Sequence, residues 1–264
     1  MNGKRLILML CFLSSLFGIA IFVPQLQFFT IRGTTAQDPP PPPAQKMPAP
    51  MVDDDTGFES IFDGKTLKDW DGDPTYWSVE NGSIVGETKP ENLPKYNRFI
   101  IWRGGETKDF ELKVDYRISE RGNSGINYRS TELPGYKWVM RGYQADIDGQ
   151  NRYTGQNYEE RGRTFLALRG QYCFIGEGKT PTMMAAVGDI AQLKEYIKED
   201  WNRYHLIVRG NLMIHILNGH VMSVVLDDDV PNRRMSGKLG MQVHVGPPMK
   251  VEFRNIRLKI LTSQ

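Results

Sequence analysis

Cysteine is nearly missing from this chain of 264 residues, since only Cys11 and Cys173 are present. Cys11 lies in an apolar N-terminal stretch, and the remainder therefore has a single thiol, which cannot form an internal disulfide. This excludes a small domain stapled by disulfides. Stability must come from a hydrophobic core, and roughly 210 residues are enough to build one. We interpret Cys173 as a small buried hydrophobic residue.

An excess of charge of one sign is also missing. Lys and Arg number 33 and Asp and Glu number 31, which gives a formal net charge of +2. The sequence has no Gly-rich phosphate loop, and Arg161, Arg163 and Arg169 are scattered among acidic residues. These observations argue against nucleic acid as a partner.

Only one long hydrophobic run is present, and it lies at the N-terminus. The run LILMLCFLSSLFGIAIFV, residues 6–23, has no charge and follows the basic start MNGKR. A membrane-spanning helix needs about 20 apolar residues, so residues 1–36 are either a cleaved signal peptide or an uncleaved anchor. Residues 37–56 contain DPPPPPAQKMPAP, which is typical of an extended linker. We therefore expect an exported protein (periplasmic, secreted or membrane-anchored) that contacts a membrane only through its N-terminal segment, with one domain at 57–264.

In the domain, apolar and polar residues alternate in short segments. Alternation predicts strands, and FELKVDYRI (110–118) and KLGMQVHV (238–245) both show it. Asn218-Gly219 between two such segments predicts a β-hairpin. The segment DIAQLKEYIK (189–198) instead has helical spacing after an Asp that can cap a helix. We predict an all-β fold, a two-sheet antiparallel jelly-roll sandwich with one short helix.

The segment GYQADID, residues 142–148, places acidic side chains in a row. Read as a strand, it puts Gln144, Asp146 and Asp148 on one face, while the apolar residues between them face the core. Like charges on one face cost stability, which favours a function for them. A retaining glycosidase needs two carboxyl groups about 5–5.5 Å apart, but an amide at Gln144 can be neither nucleophile nor proton donor. Structural alternatives are that Asp148-Gly149 forms a turn and that Asp146 pairs with an arginine.

Seven stretches, taken in order, carry a resemblance to a known family: FESIFDGKTLKDW (58–70), WSVENGSIV (77–85), DFELKVDYRI (109–118), GNSGINYRS (122–130), WNRYHLIVRGN (201–211), ILNGHV (216–221) and GMQVHVGPPMKVEFRNIRLK (240–259). Together they resemble the 3-keto-disaccharide hydrolase domain. That family is similar in fold to the concanavalin A-like lectins and glucanases, which implies a jelly roll with a concave sugar-binding face. The family's usual strand has Tyr-Glu-x-Gln where this chain has Tyr143-Gln144-Ala145-Asp146, so the acid and the amide are exchanged.

The resemblance implies chemistry on an oxidised sugar. A carbonyl at carbon 3 acidifies the hydrogen on carbon 2, so that one base can remove it and the substituent at carbon 1 leaves. The expected catalytic residues are Asp146 or Asp148 as the base, Arg129 as the oxyanion stabiliser and His244 as an acid or base. A divalent metal ion held by Asp146, Asp148 and His244 is an alternative stabiliser and the one cofactor we consider.

The side chains expected to bind carbohydrate are polar or aromatic: Gln144, Asn123, Trp138 and Tyr153. Aromatic faces suit the apolar side of a sugar ring. Glu159 and Glu160 follow in the next segment, and they either lie in a solvated loop or lend one acid to the site.

The expected function is that of an exported hydrolase or lyase acting on 3-keto-glycosides, with a 3-keto-glycoside or glycan as its partner. Two alternatives remain open. One is a carbohydrate-binding module without turnover, and the other is a conventional glycoside hydrolase that cleaves unoxidised sugar.

Overall fold

The computed structural model describes residues 50 and 53–262. The expected signal peptide or anchor (1–36) and the proline-rich part of the linker lie outside the described residues. The chain divides into two units, Met1–Gln45 and Lys46–Gln264, and every described residue belongs to the second. Within the described range, no helix is both long and apolar enough to cross a membrane.

The described chain is built mainly of strands. In order, they are β1 (Glu59–Ser60), β2 (Trp70–Asp71), β3 (Trp77–Glu80), β4 (Ser83–Thr88), β5 (Arg98–Trp102), β6 (Phe110–Ile118), β7 (Asn123–Glu132), β8 (Met140–Asp148), β9 (Asn157–Glu160), β10 (Thr164–Ala167), β11 (Gln171–Ile175), β12 (Thr182–Ala186), β13 (Asn202–Arg209), β14 (Leu212–Leu217), β15 (His220–Asp227), β16 (Lys238–Val243) and β17 (Met249–Ile260). A 3₁₀ turn covers Pro90–Asn92, and the helix α1 covers Ile190–Glu195.

The strands form two sheets that enclose one core. Sheet A has ten strands in the order β12-β11-β15-β14-β13-β6-β17-β4-β3, with β1 beside β17. Sheet B has seven strands in the order β10-β9-β8-β7-β16-β5-β2. Paired strands are antiparallel, apart from β11 and β15, which are parallel. The predicted fold of two antiparallel-dominated sheets with one short helix is confirmed.

The core lies between the sheets because alternate residues of each strand are apolar and point inward. In β8 the inward residues Tyr143, Ala145 and Ile147 are all buried. Opposite them, sheet A contributes side chains such as Leu206 of β13, which belong to the same apolar cluster. Cys173 is buried and free, as expected of a small hydrophobic residue.

Two local signals in the sequence determine the ends of elements. The turn between β14 and β15 is made by Asn218 and Gly219, whose φ angles are 49° and 85°. The tight two-residue hairpin turn requires positive φ at both central residues, which Asn and Gly tolerate. The helix α1 begins after Asp189, whose side chain accepts hydrogen bonds from the backbone N–H groups of Ala191 and Gln192. The predictions of this hairpin and this helix are confirmed.

An acidic segment, Asp53–Asp55, is bound to the outer face of sheet A. The ammonium group of Lys113, which is almost fully buried, donates hydrogen bonds to Asp53 and Asp55. Arg203 also pairs with Asp53, and Arg257 pairs with Asp55. These last residues of the expected linker therefore pack on the domain.

Arg129 lies at a bulge of β7 and is held by structural hydrogen bonds. Its φ is 45°, and the register between β7 and β8 shifts around it. Its guanidinium donates to the backbone carbonyl oxygens of Lys108 (2.6 and 2.8 Å), Gly210 (2.6 Å) and Arg234 (3.1 Å), and to the carboxylate of Asp109 (3.0 Å). Since protein acceptors occupy all five N–H donors of the guanidinium, Arg129 has no donor left for a substrate. Instead of the expected role as oxyanion stabiliser, Arg129 has a structural role, because it holds together the segments that carry Lys108, Gly210 and Arg234.

We expect Arg129→Lys to lower the free energy of unfolding by about 3 kcal/mol, because an ammonium group cannot reproduce a planar fork of five donors and leaves buried acceptors without partners. Urea unfolding of the variant and the parent protein measures this loss. Arg141→Lys is the matched control, since Arg141 is exposed on the neighbouring strand, and its effect should stay within about 0.5 kcal/mol. Equal stability of the two variants would contradict the structural role of Arg129.

Candidate active site on the curved face of sheet B

The outer face of sheet B carries a set of buried polar side chains. On β8, Gln144 and Asp146 point away from the core and are 3% and 8% exposed. On β9, Glu160 lies on the same face and is 7% exposed, and on β16 Gln242 is fully buried. Side chains on an outer face can be this buried only if other parts of the chain cover them. Because isolated polar groups are costly to bury, they also need hydrogen-bond partners.

Sheet B is strongly curved. Three strands separate β5 from β9, so a flat sheet would hold them about 19 Å apart at the usual strand spacing of about 4.8 Å. Yet the amide of Asn97, which immediately precedes β5, donates to the carboxylate of Glu160 on β9 at 3.3 Å. The outer face is therefore concave, and side chains from distant strands meet across it.

A chain of hydrogen bonds joins two carboxyl groups across this concave face. Gln144 Nε2 donates to Asp146 Oδ1 at 2.8 Å. Gln242 Nε2 donates to Gln144 Oε1 at 3.1 Å and to Glu160 Oε2 at 3.3 Å. Two amides thus link Asp146 to Glu160, and we call these four residues the acid cluster.

A glycine on β7 makes the acid cluster possible. Gly125 pairs with Asp146 in the sheet and has no side chain to separate β8 from β16. A Cβ atom at this position would lie 2.5 Å from Cδ of Gln144, far inside normal contact. Gln144 can therefore lie across β7 and reach Gln242 only because residue 125 is glycine.

Burial sets the protonation of the two acids. Burial raises the pKa of Asp146 well above its usual range, and the charges of Asp148 and Glu160 raise it further, against one opposing hydrogen bond from Gln144. Burial also raises the pKa of Glu160, although Asn97 and nearby positive charges partly offset this. The charge of Glu160 contributes to the raised pKa of Asp146, so ionisation of Glu160 opposes ionisation of Asp146. Such a pair can supply both a general acid and a general base near neutral pH.

The same face has polar atoms without a protein partner. Asn127 of β7 is paired with Gln144 in the sheet, is fully buried, and neither atom of its amide has a hydrogen-bond partner among the described residues. The same holds for Oε1 of Gln242. Buried amides without partners cost about 1–3 kcal/mol each, so these groups are suited to a polar ligand.

Asp148 has a different role from the one expected. Its carboxylate accepts hydrogen bonds from the backbone N–H groups of Arg152 (3.1 Å), Tyr153 (2.7 Å) and Thr154 (3.1 Å). These bonds hold the loop after β8 in place and occupy both oxygens. The expectation that Asp148 serves as the base is not supported by this geometry.

His244 lies at the rim of the acid cluster. It follows β16, is half-buried, and lies close enough to Glu160 to offset part of the rise that burial causes in the pKa of that acid, after the larger effects of Asn97 and Arg161. With Asn123 and Arg152, it lines a surface cavity of about 340 Å³. The structure thus brings His244 and Asn123 to one opening beside the cluster.

The expected metal ligands do not come together. Among the described residues, no group of three or more His, Cys, Asp or Glu side chains is arranged to hold a metal ion. Asp146 accepts a hydrogen bond from Gln144, and Asp148 accepts one from the backbone N–H of Tyr153. His244 Nδ1 contacts the carbonyl oxygen of Val245. The residues present do not fit the metal site that Asp146, Asp148 and His244 would form.

Two aromatic residues expected to bind sugar have different surroundings. Trp138 donates from Nε1 to the carboxylate of Asp71 at 2.7 Å, next to the edge strand β2, and Lys137 lies over its ring. Trp138 is therefore tied to the edge strand β2 of sheet B. Tyr153, by contrast, is 36% exposed beside the acid cluster and stacks on Phe165.

Glu160, Gln242, Asn97 and Asn127 are the residues that sequence reasoning missed or left open. Glu160 had two alternatives, a solvated loop or the site, and the structure places it in the cluster, while Glu159 points inward to Arg163. Gln242 shares its face with His244 by simple alternation, so that signal was available. Nothing in the sequence indicated that Asn97 and Glu160 meet.

The sequence of this chain matches one family model and part of one curated protein. A family model described as the 3-keto-alpha-glucoside-1,2-lyase-like domain matches residues 57–259. A protein of Bacteroides thetaiotaomicron named 3-keto-disaccharide hydrolase is 34% identical over 87 residues, which are 30% of this chain and 30% of that protein. The similarity therefore spans less than a third of the length of this curated relative.

Two crystal structures from Parabacteroides distasonis, both of candidate glycosyl hydrolases, share the fold. One has 22% identity and a TM-score of 0.51, and covers 78% of this chain and 95% of its own. The other has 19% identity and a TM-score of 0.52, and covers 77% of this chain and 99% of its own. At these identities the likeness concerns the fold alone.

The raised pKa of Asp146 makes its replacement a test of stability against pH. A carboxyl whose folded pKa is raised binds its proton more tightly when folded, so it lowers stability progressively as pH rises above about 4, the unfolded pKa. We therefore expect the melting temperature of Asp146→Asn, relative to the parent, to rise from pH 4 to pH 8. Each kcal/mol corresponds to roughly 2–4 °C for a domain of this size.

Differential scanning calorimetry across this pH range measures the effect. Glu199→Gln is the control, because Glu199 is exposed, and its melting temperature should follow that of the parent at every pH. A difference for Asp146→Asn that is constant or falls with pH would show that Asp146 is not buried as the structure has it.

Proposed function

This chain belongs to the 3-keto-alpha-glucoside-1,2-lyase-like domain family, and we propose that it is an exported enzyme that cleaves 3-keto-glycosides at the acid cluster. The observation that carries the proposal is the pair of buried carboxyl groups, Asp146 and Glu160, joined by two amides on one concave face. Elimination next to a ketone needs one base and one acid close together, and this pair supplies both.

The reaction proceeds by proton transfer. The ionised carboxyl of the pair takes the proton from carbon 2, and the electrons of that C–H bond move into the carbonyl at carbon 3 to form an enolate. The C1–O bond then breaks, and the protonated carboxyl gives its proton to the departing oxygen. Water that adds later across the new double bond completes a net hydrolysis.

The amides on the concave face hold the sugar and its developing charge. Asn127 has an unpaired N–H₂ group among the described residues, and we assign it to the oxygen at carbon 3, where negative charge develops. Donors fixed before the reaction stabilise such an oxyanion without reorganisation. This donor takes the place that the sequence had suggested for Arg129. Gln144 and Gln242 keep the two acids at a fixed separation.

The test is release of free sugar from a purified 3-keto-glucoside and from the unoxidised glucoside, followed by chromatography. We expect cleavage of the oxidised substrate alone. Asp146→Asn and Glu160→Gln should each lower kcat by about 10²–10⁴-fold, the usual contribution of a general acid or base. Glu199→Gln, which changes an exposed carboxyl outside the acid cluster, should keep the parent rate.

Other outcomes distinguish the alternatives. Binding of sugar without release would indicate a carbohydrate-binding module, and cleavage of the unoxidised glucoside would indicate a conventional glycoside hydrolase. Treatment with EDTA should leave the rate unchanged, because the described His, Cys, Asp and Glu side chains do not form a metal-binding group. A loss of activity that added divalent metal restores would bring back the metal-dependent mechanism.

The proposed export rests on the uncharged apolar run at residues 6–23 after a basic start. We expect the full chain, expressed in a bacterial host, to leave the cytoplasm, and deletion of residues 1–36 to retain it there. Cell fractionation measures the location, and N-terminal sequencing separates a cleaved signal from an anchor. Cytoplasmic accumulation of the full chain would contradict the proposal.

A further inference from the structure

Three aromatic rings form a continuous strip beside the acid cluster. Tyr153 stacks on Phe165 with ring centroids 6.1 Å apart and an interplanar angle of 27°. Tyr158 meets Phe165 edge to face with centroids 5.1 Å apart. The rings come from β9, β10 and the loop that Asp148 holds, and we call them the aromatic strip.

The register of sheet B places the aromatic strip in line with the acid cluster. Phe165 of β10 is paired with Tyr158 of β9, and Tyr158 is paired with Gln144 of β8. Residues paired across strands share a face, so these three side chains form one row. At about 4.8 Å per strand, Phe165 lies on the order of 10 Å from Gln144, which is comparable to the length of a disaccharide.

The strip is open to solvent, whereas the cluster is not. Phe165 and Tyr153 are 41% and 36% exposed, and β10 is an edge strand of sheet B. Tyr158, between them and the acids, is half-buried. Exposed rings in mutual contact next to a buried polar site make an apolar platform of the kind found at the entrance of ligand sites.

Tyr158 lies close to the reacting groups as well as to the strip. Burial raises the pKa of its phenol, and the charges of Glu160 and Asp146 raise it further. At the far end, the guanidinium of Arg152 lies 5.3 Å from the centre of the Tyr153 ring, where it can donate to hydroxyl groups at the edge of a bound ring. The strip thus combines apolar faces with polar groups at both ends.

We propose that the aromatic strip binds the departing ring, the sugar or aglycone attached to carbon 1 of the oxidised sugar. The proposal rests on the proposed function, because it takes the acid cluster as the place of the oxidised ring. With that ring among Gln144, Asp146 and Glu160, its carbon 1 substituent can extend along the row towards Phe165. There the apolar face of a pyranose or aryl ring packs on the aromatic faces. The enzyme would then select substrates whose departing group is itself a ring.

The kinetic test compares a 3-keto-disaccharide with methyl 3-keto-glucoside, which lacks a departing ring. We expect the parent protein to prefer the disaccharide in kcat/KM, and Phe165→Ala to lower that value for the disaccharide by about tenfold, the size of a lost aromatic stacking contact. The change for the methyl glycoside should be less than twofold. Leu168→Ala is the control, since Leu168 is equally exposed just after β10 but lies outside the strip, and both substrates should be unaffected.

A binding measurement separates failure of this proposal from failure of the proposed function. The aromatic NMR signals of the parent protein, assigned to Phe165 by their loss in Phe165→Ala, should shift on titration with an unoxidised disaccharide. If they shift but no substrate is cleaved, the strip stands and the proposed function falls. If the 3-keto-disaccharide is cleaved while these signals stay still and Phe165→Ala affects both substrates alike, the strip proposal is overturned.

Discussion

The contact on which the site depends is the hydrogen bond between Asn97 and Glu160, made across three intervening strands. It exists only because sheet B curls until β5 and β9 face each other. The curl excludes water from a face that would otherwise be exposed, and it brings the amide of Gln242 within reach of both Gln144 and Glu160. Burial of the acids, their raised pKa values and the position of the amides all follow from this curvature.

Burying carboxyl groups costs folding free energy, and the hydrogen bonds around Asp146 and Asp148 offset this cost in different ways. Buried carboxyl groups are stable when neutral or when every oxygen accepts a hydrogen bond. Asp148 is the second kind, since three backbone N–H groups satisfy its carboxylate. Asp146 accepts a single side-chain hydrogen bond, from Gln144. Its ionised form is therefore less stabilised, and burial raises its pKa. Two acids only two residues apart on one strand thus lie in different surroundings, because their hydrogen-bond partners differ.

The sequence predicts which face of a strand each side chain lies on, but not which side chains of other strands it contacts. Alternation alone placed Gln144 and Asp146 outward and Tyr143 inward, because the side-chain period of a strand is two. It could not show that Asn97 and Glu160 meet, since that contact depends on strand order and on curvature. The expected role of Arg129 as oxyanion stabiliser failed for a related reason. A bulge in β7 changes the direction of its side chain, and the local sequence does not predict that bulge.

The exchange of acid and amide in β8 can be understood from the same geometry. The resemblance drawn from the sequence implies Tyr-Glu-x-Gln in this strand, and here the order is Tyr143-Gln144-Ala145-Asp146. Positions 144 and 146 share a face and bond to each other at 2.8 Å, so either order preserves one carboxyl bonded to one amide. What changes is the place of the acid, which moves by two residues, about 6.6 Å along the strand. The carboxyl of Glu160, linked to Gln144 through Gln242, gives the concave face a second acid, and in the proposed mechanism the two acids form the acid–base pair.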